Sequence, residues 1–372
     1  MSNKVACYKP WTAFYVDNGT QGVKPCCWVR EPLGYLNDEA TLESSWKTPE
    51  WEQMRKDMWE ANGELPKQCP IYCQHKLSDP FHEKIFNPLI EDHINNSKVW
   101  EPAPYDFSAT IANACNLKCK MCWIFDDFDY VISKDGYNRV LDQVKSKAAL
   151  NTEQGIPPLV INLSGGEVFF AKAMRSTLYE LVEDPNAGKT FKFNFVTNLT
   201  IWDQKFWDLL EQRPDSFSGI TISIDGWDEE SYLNIRGVDR FSTVMANLDK
   251  VMKWREEHAE THGYWPININ SLIQTTTYPH LKDIIDLYMK KDTVVSFIPL
   301  ILSYKPDAPW QCFNLPEHQR PCLLAIQDAI HHIQSTYPEY DQTEWKQGWQ
   351  KWSILTSLQR NEAYLKKIIG ID

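Results

Sequence analysis

Short β-rich segments alternate with helical segments along the middle of the chain, and this alternation limits the fold more than any other feature of the sequence. The β-rich segments are FSATIA, LVINLS, FKFNFVT, GITISID, ININSLI and VVSFIPL. The segments between them have helical patterns. Because strands that alternate with helices form parallel sheets with right-handed crossovers, the pattern predicts an α/β fold, specifically a partial (β/α)6 TIM-like barrel. Function should then lie at the carboxyl ends of its strands.

The chain has 372 residues and 43% of them are hydrophobic, which is enough for such a core and one smaller module. The first part is rich in Trp, Cys and Pro, and its one clear helix is predicted near Pro49–Ala61. The last part ends in helices, where Trp345, Trp349, Trp352 and Leu355 follow helical spacing and are expected to pack against the barrel. The predicted organisation is an N-terminal module at 1–85, a linker at 86–105, a core at 106–302 and a C-terminal helical extension at 303–372.

The formal net charge of −12 argues against general binding of nucleic acids or other polyanions. The N-terminal sequence MSNKVACYKPW lacks the long apolar run of a secretion signal. The chain also has no uninterrupted apolar stretch of roughly 18 residues, as a membrane span requires. We therefore expect a cytoplasmic protein with no membrane partner.

The ten cysteines of the chain fall into three zones, and clustered thiols in a reducing compartment more often bind metal than form disulfides. Directly after the first predicted barrel strand, the segment CNLKCKMC contains Cys115, Cys119 and Cys122. A cubane iron-sulfur cluster ordinarily uses four cysteines, so a loop with three leaves one iron open to another ligand. A zinc site or three buried thiols are the alternatives.

This Cys-x3-Cys-x2-Cys spacing after the first strand resembles the radical SAM superfamily. The resemblance implies that the loop binds a 4Fe-4S cluster whose open iron chelates S-adenosylmethionine (SAM). An electron from the cluster would cleave SAM to a 5'-deoxyadenosyl radical. Family members often have an aromatic residue before the third cysteine, whereas this chain has Met121 there, followed by Trp123.

Further strand ends resemble the SAM-binding positions of the same family. The second strand ends in Ser164, Gly165, Gly166 and Glu167, similar to the GGE motif that binds the methionyl amino group. The third and fourth strands are followed by Asn198, Ser223 and Arg236, which the resemblance assigns to the ribose hydroxyls and the methionyl carboxylate. Asp225 could join them or cap the following turn.

The N-terminal cysteines resemble the auxiliary-cluster domain of the SPASM/twitch branch of the family, here placed before the barrel. The shared pattern is a Cys followed by Pro-Trp, a turn, Pro-Cys-Cys, a Trp-containing helix and a closing pair of cysteines. It implies a second 4Fe-4S cluster bound by Cys7, Cys26, Cys69 and Cys73, with Cys27 able to replace Cys26. A structural zinc site with the same thiols is the alternative.

These features predict a radical SAM enzyme that abstracts hydrogen from a peptide or peptide-like substrate and modifies it oxidatively. The resemblance also implies an electron donor such as a flavodoxin or ferredoxin. Dehydrogenation of a small-molecule alcohol is the alternative reaction, and a non-catalytic iron-sulfur or zinc scaffold is the alternative from another class. The strand-end SAM-binding motifs argue against the scaffold. Cys312 is interpreted as buried or substrate-facing, Cys322 and His331-His332 as structural, and the acidic run at 126–129 as a solvated turn or the site of a general base.

Overall fold

The structure of the protein is a computed structural model. It describes residues 5–17, 21–29, 31–69, 80–96, 98, 100–122, 132–153, 155–262, 265, 267–291, 293–301, 307–337 and 345–371. The chain divides into two compact units. The first comprises Met1–Ala114, Phe128–Phe195 and Lys205–Ser218, and the second comprises Cys115–Asp127, Val196–Gln204 and Gly219–Asp372.

The first unit is built on a sheet whose strands lie in the order β3-β2-β1-β4-β5-β6. Their bounds are β1 (Ala13–Val16), β2 (Gly22–Lys24), β3 (Gly34–Tyr35), β4 (Asp106–Thr110), β5 (Leu159–Ser164) and β6 (Phe191–Thr197). Strands β1, β4, β5 and β6 pair in parallel, whereas β2 pairs antiparallel with both β1 and β3. The helices are α1 (Lys9–Thr12), α2 (Leu42–Trp46), α3 (Pro49–Glu60), α4 (Pro80–Asn95), α5 (Lys134–Glu153), α6 (Lys172–Glu183) and α7 (Gln204–Glu211).

The second unit contains three parallel strands, in the order β7-β8-β9, and the C-terminal helices. The strands are β7 (Phe217–Ser223), β8 (Ile267–Ile273) and β9 (Val294–Pro299). The helices are α8 (Glu229–Arg236), α9 (Phe241–His262), α10 (Leu281–Met289), α11 (Pro316–Thr336) and α12 (Trp345–Ile369). The α/β class and the predominantly parallel pairing are therefore confirmed, and β4 to β9 occupy the six predicted β-rich segments. The closure of these strands into a partial barrel stays a prediction.

The strands alternate between fully buried and half-buried side chains, as expected where successive residues point to opposite faces. In β6, the buried side chains of Phe191, Phe193 and Phe195 share one face. Phe195 contacts Phe206 of α7 in an edge-to-face arrangement, with ring centroids 5.6 Å apart. Each buried aromatic side chain contributes about 1.5 to 3 kcal/mol, so this layer contributes strongly to fixing α7 on the sheet.

The N-terminal segment contributes strands to the same sheet as β4. Strand β1 pairs in parallel with β4, and the ring of Phe14 stacks on that of Phe107 at a centroid distance of 5.1 Å. Lys9 forms an ion pair with Asp106 at the start of β4. Helix α4 crosses the predicted boundary at residue 85 and extends into the predicted linker. The domain boundaries themselves stay predictions.

The predicted helix of the N-terminal module is confirmed as α3. Its cap is Thr48, whose side chain accepts a hydrogen bond from the backbone N–H of Trp51 at 3.2 Å. Trp51, Met54 and Met58 are buried on one face, as their spacing predicted. Arg55 is also buried, with its guanidinium 4.8 Å from the ring centroid of Trp46.

The expected tryptophan face of the C-terminal helix is wrong at Trp352, whose side chain is 56% exposed. The buried face of α12 instead contains Ile354, Leu358 and Leu365, and the helix packs on β9 and α11. It also includes a polar residue, Asn361, which donates to the carbonyl oxygen of Phe297 on β9 at 2.9 Å. Because Asn361 is polar, the spacing of apolar residues alone does not place it on the buried face of the helix. The side chains of Trp345 and Trp349 lie outside the described part of the chain.

No helix in the described part of the chain combines the length and the apolar content that crossing a membrane requires.

Candidate functional site

The three cysteines of the predicted cluster loop lie in or against a single apolar cluster in the second unit. Cys119 is buried within it, whereas Cys115 and Cys122 are half-buried and packed against it. The remaining members are Leu117, Met121, Ile235, Leu300, Val238, Leu272 and Trp310. The loop thus presents its thiols from an apolar base, the kind of setting in which sulfur ligands enclose an iron-sulfur cluster.

Two of these sulfurs accept hydrogen bonds from N–H groups. The backbone N–H of Leu117 donates to the Sγ of Cys115 at 3.4 Å, and the Nδ2 of Asn198 lies 3.8 Å from the same sulfur. The Nη1 of Arg236 lies 3.6 Å from the Sγ of Cys119. Burial raises the pKa of the Cys119 thiol above its ordinary value, although Arg236 acts in the opposite direction. N–H donors of this kind stabilise cluster-bound thiolates, so these residues fit a 4Fe-4S cluster.

Within the described residues, no three Cys, His, Asp or Glu side chains are close enough to enclose a single metal ion. In a cubane cluster each of the three thiolates binds a different iron, so the thiolates need not meet at one point.

The C-terminal end of α8 fixes the cysteine loop in place. The backbone N–H of Lys120 donates to the carbonyl oxygen of Ile235 at 3.2 Å. Gly237 ends the helix with a left-handed backbone, φ +77°, and a β-carbon there would lie 3.1 Å from the carbonyl oxygen of Lys118. The glycine thus allows both the helix end and the close approach of the loop.

Asn198, predicted to contact SAM, is the centre of a hydrogen-bond network that supports the loop. Its Nδ2 donates to the Oδ1 of Asn116 at 3.0 Å, and its Oδ1 accepts from the hydroxyl of Thr200 at 2.6 Å. Asn116 also donates to Thr200 at 2.8 Å. Asn116 and Thr200 were missed by the sequence reasoning, because an isolated asparagine or threonine has no spacing signal of its own.

Arg236 is already paired with a carboxylate of the chain itself. Its Nη2 lies 2.5 Å from the Oδ2 of Asp225, whose Oδ1 accepts from the backbone N–H of Leu272 at 2.8 Å. Asp225 is therefore no turn cap, and the cap of α8 is Asp228, which accepts from the N–H of Ser231 at 2.8 Å. Among the described residues the Nε–H of Arg236 has no hydrogen-bond partner. The role of Arg236 at the methionyl carboxylate stays a prediction.

The Gly-Gly-Glu motif lies in the first unit, where it extends the pairing of β4 and β5. The N–H groups of Gly166 and Glu167 donate to the carbonyl oxygens of Ala112 and Ala114, each at 2.9 Å. Gly165 has φ +130°, and a β-carbon on Gly166 would lie 2.1 Å from the oxygen of Ala114. The glycines are thus required by the close approach of the chain to itself, in addition to any role at a ligand.

Glu167 and Ser223 are the two other predicted SAM contacts. Glu167 is 1% exposed, and its Oε1 accepts from the backbone N–H of Phe169 at 3.3 Å. Ser223 ends β7, is half-buried and is in register with Asn270 of β8. The SAM-binding roles of these residues stay predictions.

The N-terminal thiols belong to the first unit. Burial raises the pKa of Cys26, while the backbone N–H groups of Trp28 and Val29 and the ammonium of Lys9 oppose the shift. Lys9 also interacts electrostatically with Cys7, which is buried. The same cation therefore influences both thiols.

Of the other two candidate ligands that the structure describes, Cys27 is exposed and Cys69 is half-buried. Cys73 lies outside the described residues. Cys26 receives the backbone N–H groups of Trp28 and Val29, as cluster thiolates typically do, and the choice between Cys26 and Cys27 as the ligand stays a prediction.

The weaker candidates are mostly structural. Cys312 and Cys322 are both buried, with their sulfurs 3.6 Å apart, so Cys312 is not exposed toward a substrate in this structure. His332 bonds to Asp286 at 2.7 Å, whereas His331 is exposed. The acidic run at 126–129 lies outside the described residues.

The core of the chain matches a known family. Residues 110–254 match the model of the Radical SAM superfamily. GTP 3',8-cyclase of Pasteurella multocida is 22% identical over 176 residues, which are 45% of this chain and 45% of that protein. GTP 3',8-cyclase of Actinobacillus succinogenes is 21% identical over 212 residues, covering 57% and 58% of the two chains. The chain spans about half the length of the curated relatives it matches.

Two solved structures are also similar to part of this chain. Native anSMEcpe with bound AdoMet is 19% identical, with a TM-score of 0.43 and coverage of 60% of each chain. Streptococcus suis SuiB is 16% identical, with a TM-score of 0.42 and coverage of 70% of this chain and 54% of that one.

Proposed function

We propose that the protein is a radical SAM superfamily enzyme that uses a 4Fe-4S cluster and SAM, with residues 110–254 in its core. We further propose that it oxidatively modifies a peptide or peptide-like substrate. The cofactors would supply the radical that abstracts hydrogen. The observation that carries the cluster assignment is the placement of Cys115, Cys119 and Cys122 in or against one apolar cluster, with N–H donors directed at two of the sulfurs.

The side chains of the protein would bind and orient the cofactor. Cys115, Cys119 and Cys122 would ligate three irons. The backbone of Gly165 and Gly166, with the carboxylate of Glu167, would bind the methionyl ammonium group, since a buried carboxylate pairs well with a cation. Asn198 and Ser223 would contact the ribose hydroxyls, and Arg236 would contact the methionyl carboxylate.

The N-terminal thiols Cys7, Cys26, Cys69 and Cys73 would bind a second 4Fe-4S cluster. This cluster would accept the electron left over when the substrate radical is oxidised. The resemblance of this segment to the SPASM/twitch branch supports a peptide substrate, and the N–H donors at Cys26 support a bound cluster.

A purine nucleotide is the second candidate substrate. The relatives with matching sequences are GTP 3',8-cyclases, although their identity to this chain is only 21 to 23%. GTP should therefore be included among the substrates tested.

The first test is cleavage of SAM. The anaerobically reconstituted protein with dithionite should convert SAM to 5'-deoxyadenosine and methionine, because the loop leaves one iron open. Replacing Cys115, Cys119 and Cys122 together by Ala should abolish the conversion. Met121→Leu, a volume-conserving change in the same loop, should retain it. If the triple variant cleaves SAM as fast as the parent protein, the loop is not the radical-generating site.

The same reconstituted protein then tests the substrate class. Incubation with SAM, reductant and either a peptide extract or GTP, followed by mass spectrometry, should show a mass change in a peptide. A new product from GTP alone would replace the peptide proposal with the nucleotide one.

A further inference from the structure

A buried ion pair lies directly behind one sulfur of the cysteine loop. We infer that Asp225 and Arg236 together set the reduction potential of the cluster that the loop binds. Arg236 would raise the potential through its contact with Cys119, and Asp225 would limit that rise. The inference rests on the proposed function, because it requires a cluster at this loop.

The guanidinium of Arg236 is held so that one N–H points at the sulfur. Its Nη2 is bound by Asp225 at 2.5 Å, which leaves Nη1 directed at the Sγ of Cys119, 3.6 Å away. The carboxylate is fixed in turn by the backbone N–H of Leu272 on β8, 2.8 Å from its Oδ1. The rigid guanidinium thus contacts both Asp225 and Cys119. Its pairing with Asp225 limits movement of the N–H away from the sulfur.

The pair is shielded from solvent, so its charges are weakly screened. Asp225 is 1% exposed and Arg236 is 7% exposed. Tyr232 and Tyr288 are fully buried and interact electrostatically with the pair. Burial raises the pKa of the Tyr288 hydroxyl, and Asp225 raises it further, which agrees with a weakly screened site. At the low effective dielectric of such a site, a charge within 4 Å of a cluster ligand acts strongly.

The signs of the two effects are opposite. Reduction adds one electron to the cluster, so a cationic N–H donor at a ligating sulfur stabilises the reduced form and raises the potential. The carboxylate of Asp225 lies behind the guanidinium and offsets part of its charge. Removing only the carboxylate should therefore raise the potential, whereas removing both charges should lower it.

The experiment is a redox titration of the reconstituted protein without SAM, followed by EPR of the reduced cluster. Leaving out SAM separates this effect from any contact of Arg236 with the methionyl carboxylate. The titration would be made on a background in which Cys69 and Cys73 are replaced by Ala, so that only one cluster is present.

Two variants and one control are compared. Asp225→Asn should favour reduction about tenfold, a rise of about 59 mV for a one-electron couple. The double variant Asp225→Asn/Arg236→Gln should disfavour reduction about tenfold, and it avoids an unpaired buried charge that would threaten the fold. Glu229→Gln removes one negative charge from the exposed first turn of the same helix and should leave the potential unchanged.

The outcomes separate the inference from the proposed function. If the background protein binds no cluster, the proposed function fails. If the cluster forms but both variants match Glu229→Gln, or shift in the same direction, the inference is wrong. Loss of iron in either variant would show that the pair builds the site instead of tuning it, and would also overturn the inference.

Discussion

Gly166 lies where the backbone of the chain leaves no space for a β-carbon. The sequence predicted the Gly-Gly-Glu motif through its place after the second strand, and attributed the glycines to close approach of a ligand. The structure adds a cause that no local pattern contains, because Ala114 is some fifty positions away in the sequence and its carbonyl oxygen fills the space. Likewise, the pairing of Arg236 with Asp225 and Cys119 depends on tertiary contacts and could not be predicted.

Replacing Gly166 by Ala should therefore destabilise the protein even without SAM. The new β-carbon would lie 2.1 Å from the oxygen of Ala114, and overpacking of this kind costs about 1 to 3 kcal/mol. Urea denaturation of the protein without SAM should show a lower midpoint. Gly155→Ala is the comparison, because φ is +75° there but no atom lies within 4 Å, so it measures backbone strain alone. If the Gly166→Ala protein is as stable as the parent but binds SAM more weakly, the glycine is required by the ligand and not by the fold.

Strands β4 to β9 could be predicted because the alternation of strand and helix segments is a local property of the sequence. Strands β1 to β3 could not be placed in the sheet in the same way, because the pairing of β1 with β4 joins segments about ninety residues apart. Nothing in the local sequence of β1 indicates which strand of the sheet it joins. At the end of the chain, helical spacing identified α12 but not its buried face.

The buried face of α12 can be tested by two substitutions on the same helix. Leu358→Ala should lower the free energy of unfolding by about 2 to 5 kcal/mol, because Leu358 is fully buried and its removal leaves a cavity. Trp352→Ala should change it by less than about 0.5 kcal/mol, since that side chain is mostly exposed. Thermal and chemical denaturation both measure the difference. A larger loss at Trp352 than at Leu358 would restore the face predicted from the tryptophan spacing.

At the scale of the whole molecule, the two candidate cysteine sets lie in different compact units. Cys115, Cys119 and Cys122 belong to the second unit, whereas the N-terminal thiols belong to the first. Both sets were predicted from the spacing of the cysteines, and their roles as cluster ligands stay predictions. The side-chain donor Arg236 could not be predicted, because it lies more than a hundred positions from Cys119.

Iron content tests both sets in one measurement. Two cubane clusters should give about eight irons per chain after anaerobic reconstitution, and replacing Cys69 and Cys73 by Ala should reduce this to about four. That variant should still cleave SAM but form no net product, because an oxidative reaction leaves one electron that needs an acceptor. Cys27→Ala should retain all the iron, because Cys26 is the predicted ligand and Cys27 is exposed. Zinc in place of the second set of irons would refute the electron-acceptor role, because zinc has no redox chemistry. A full iron content and normal product in the Cys69/Cys73 variant would instead show that other residues bind the second cluster.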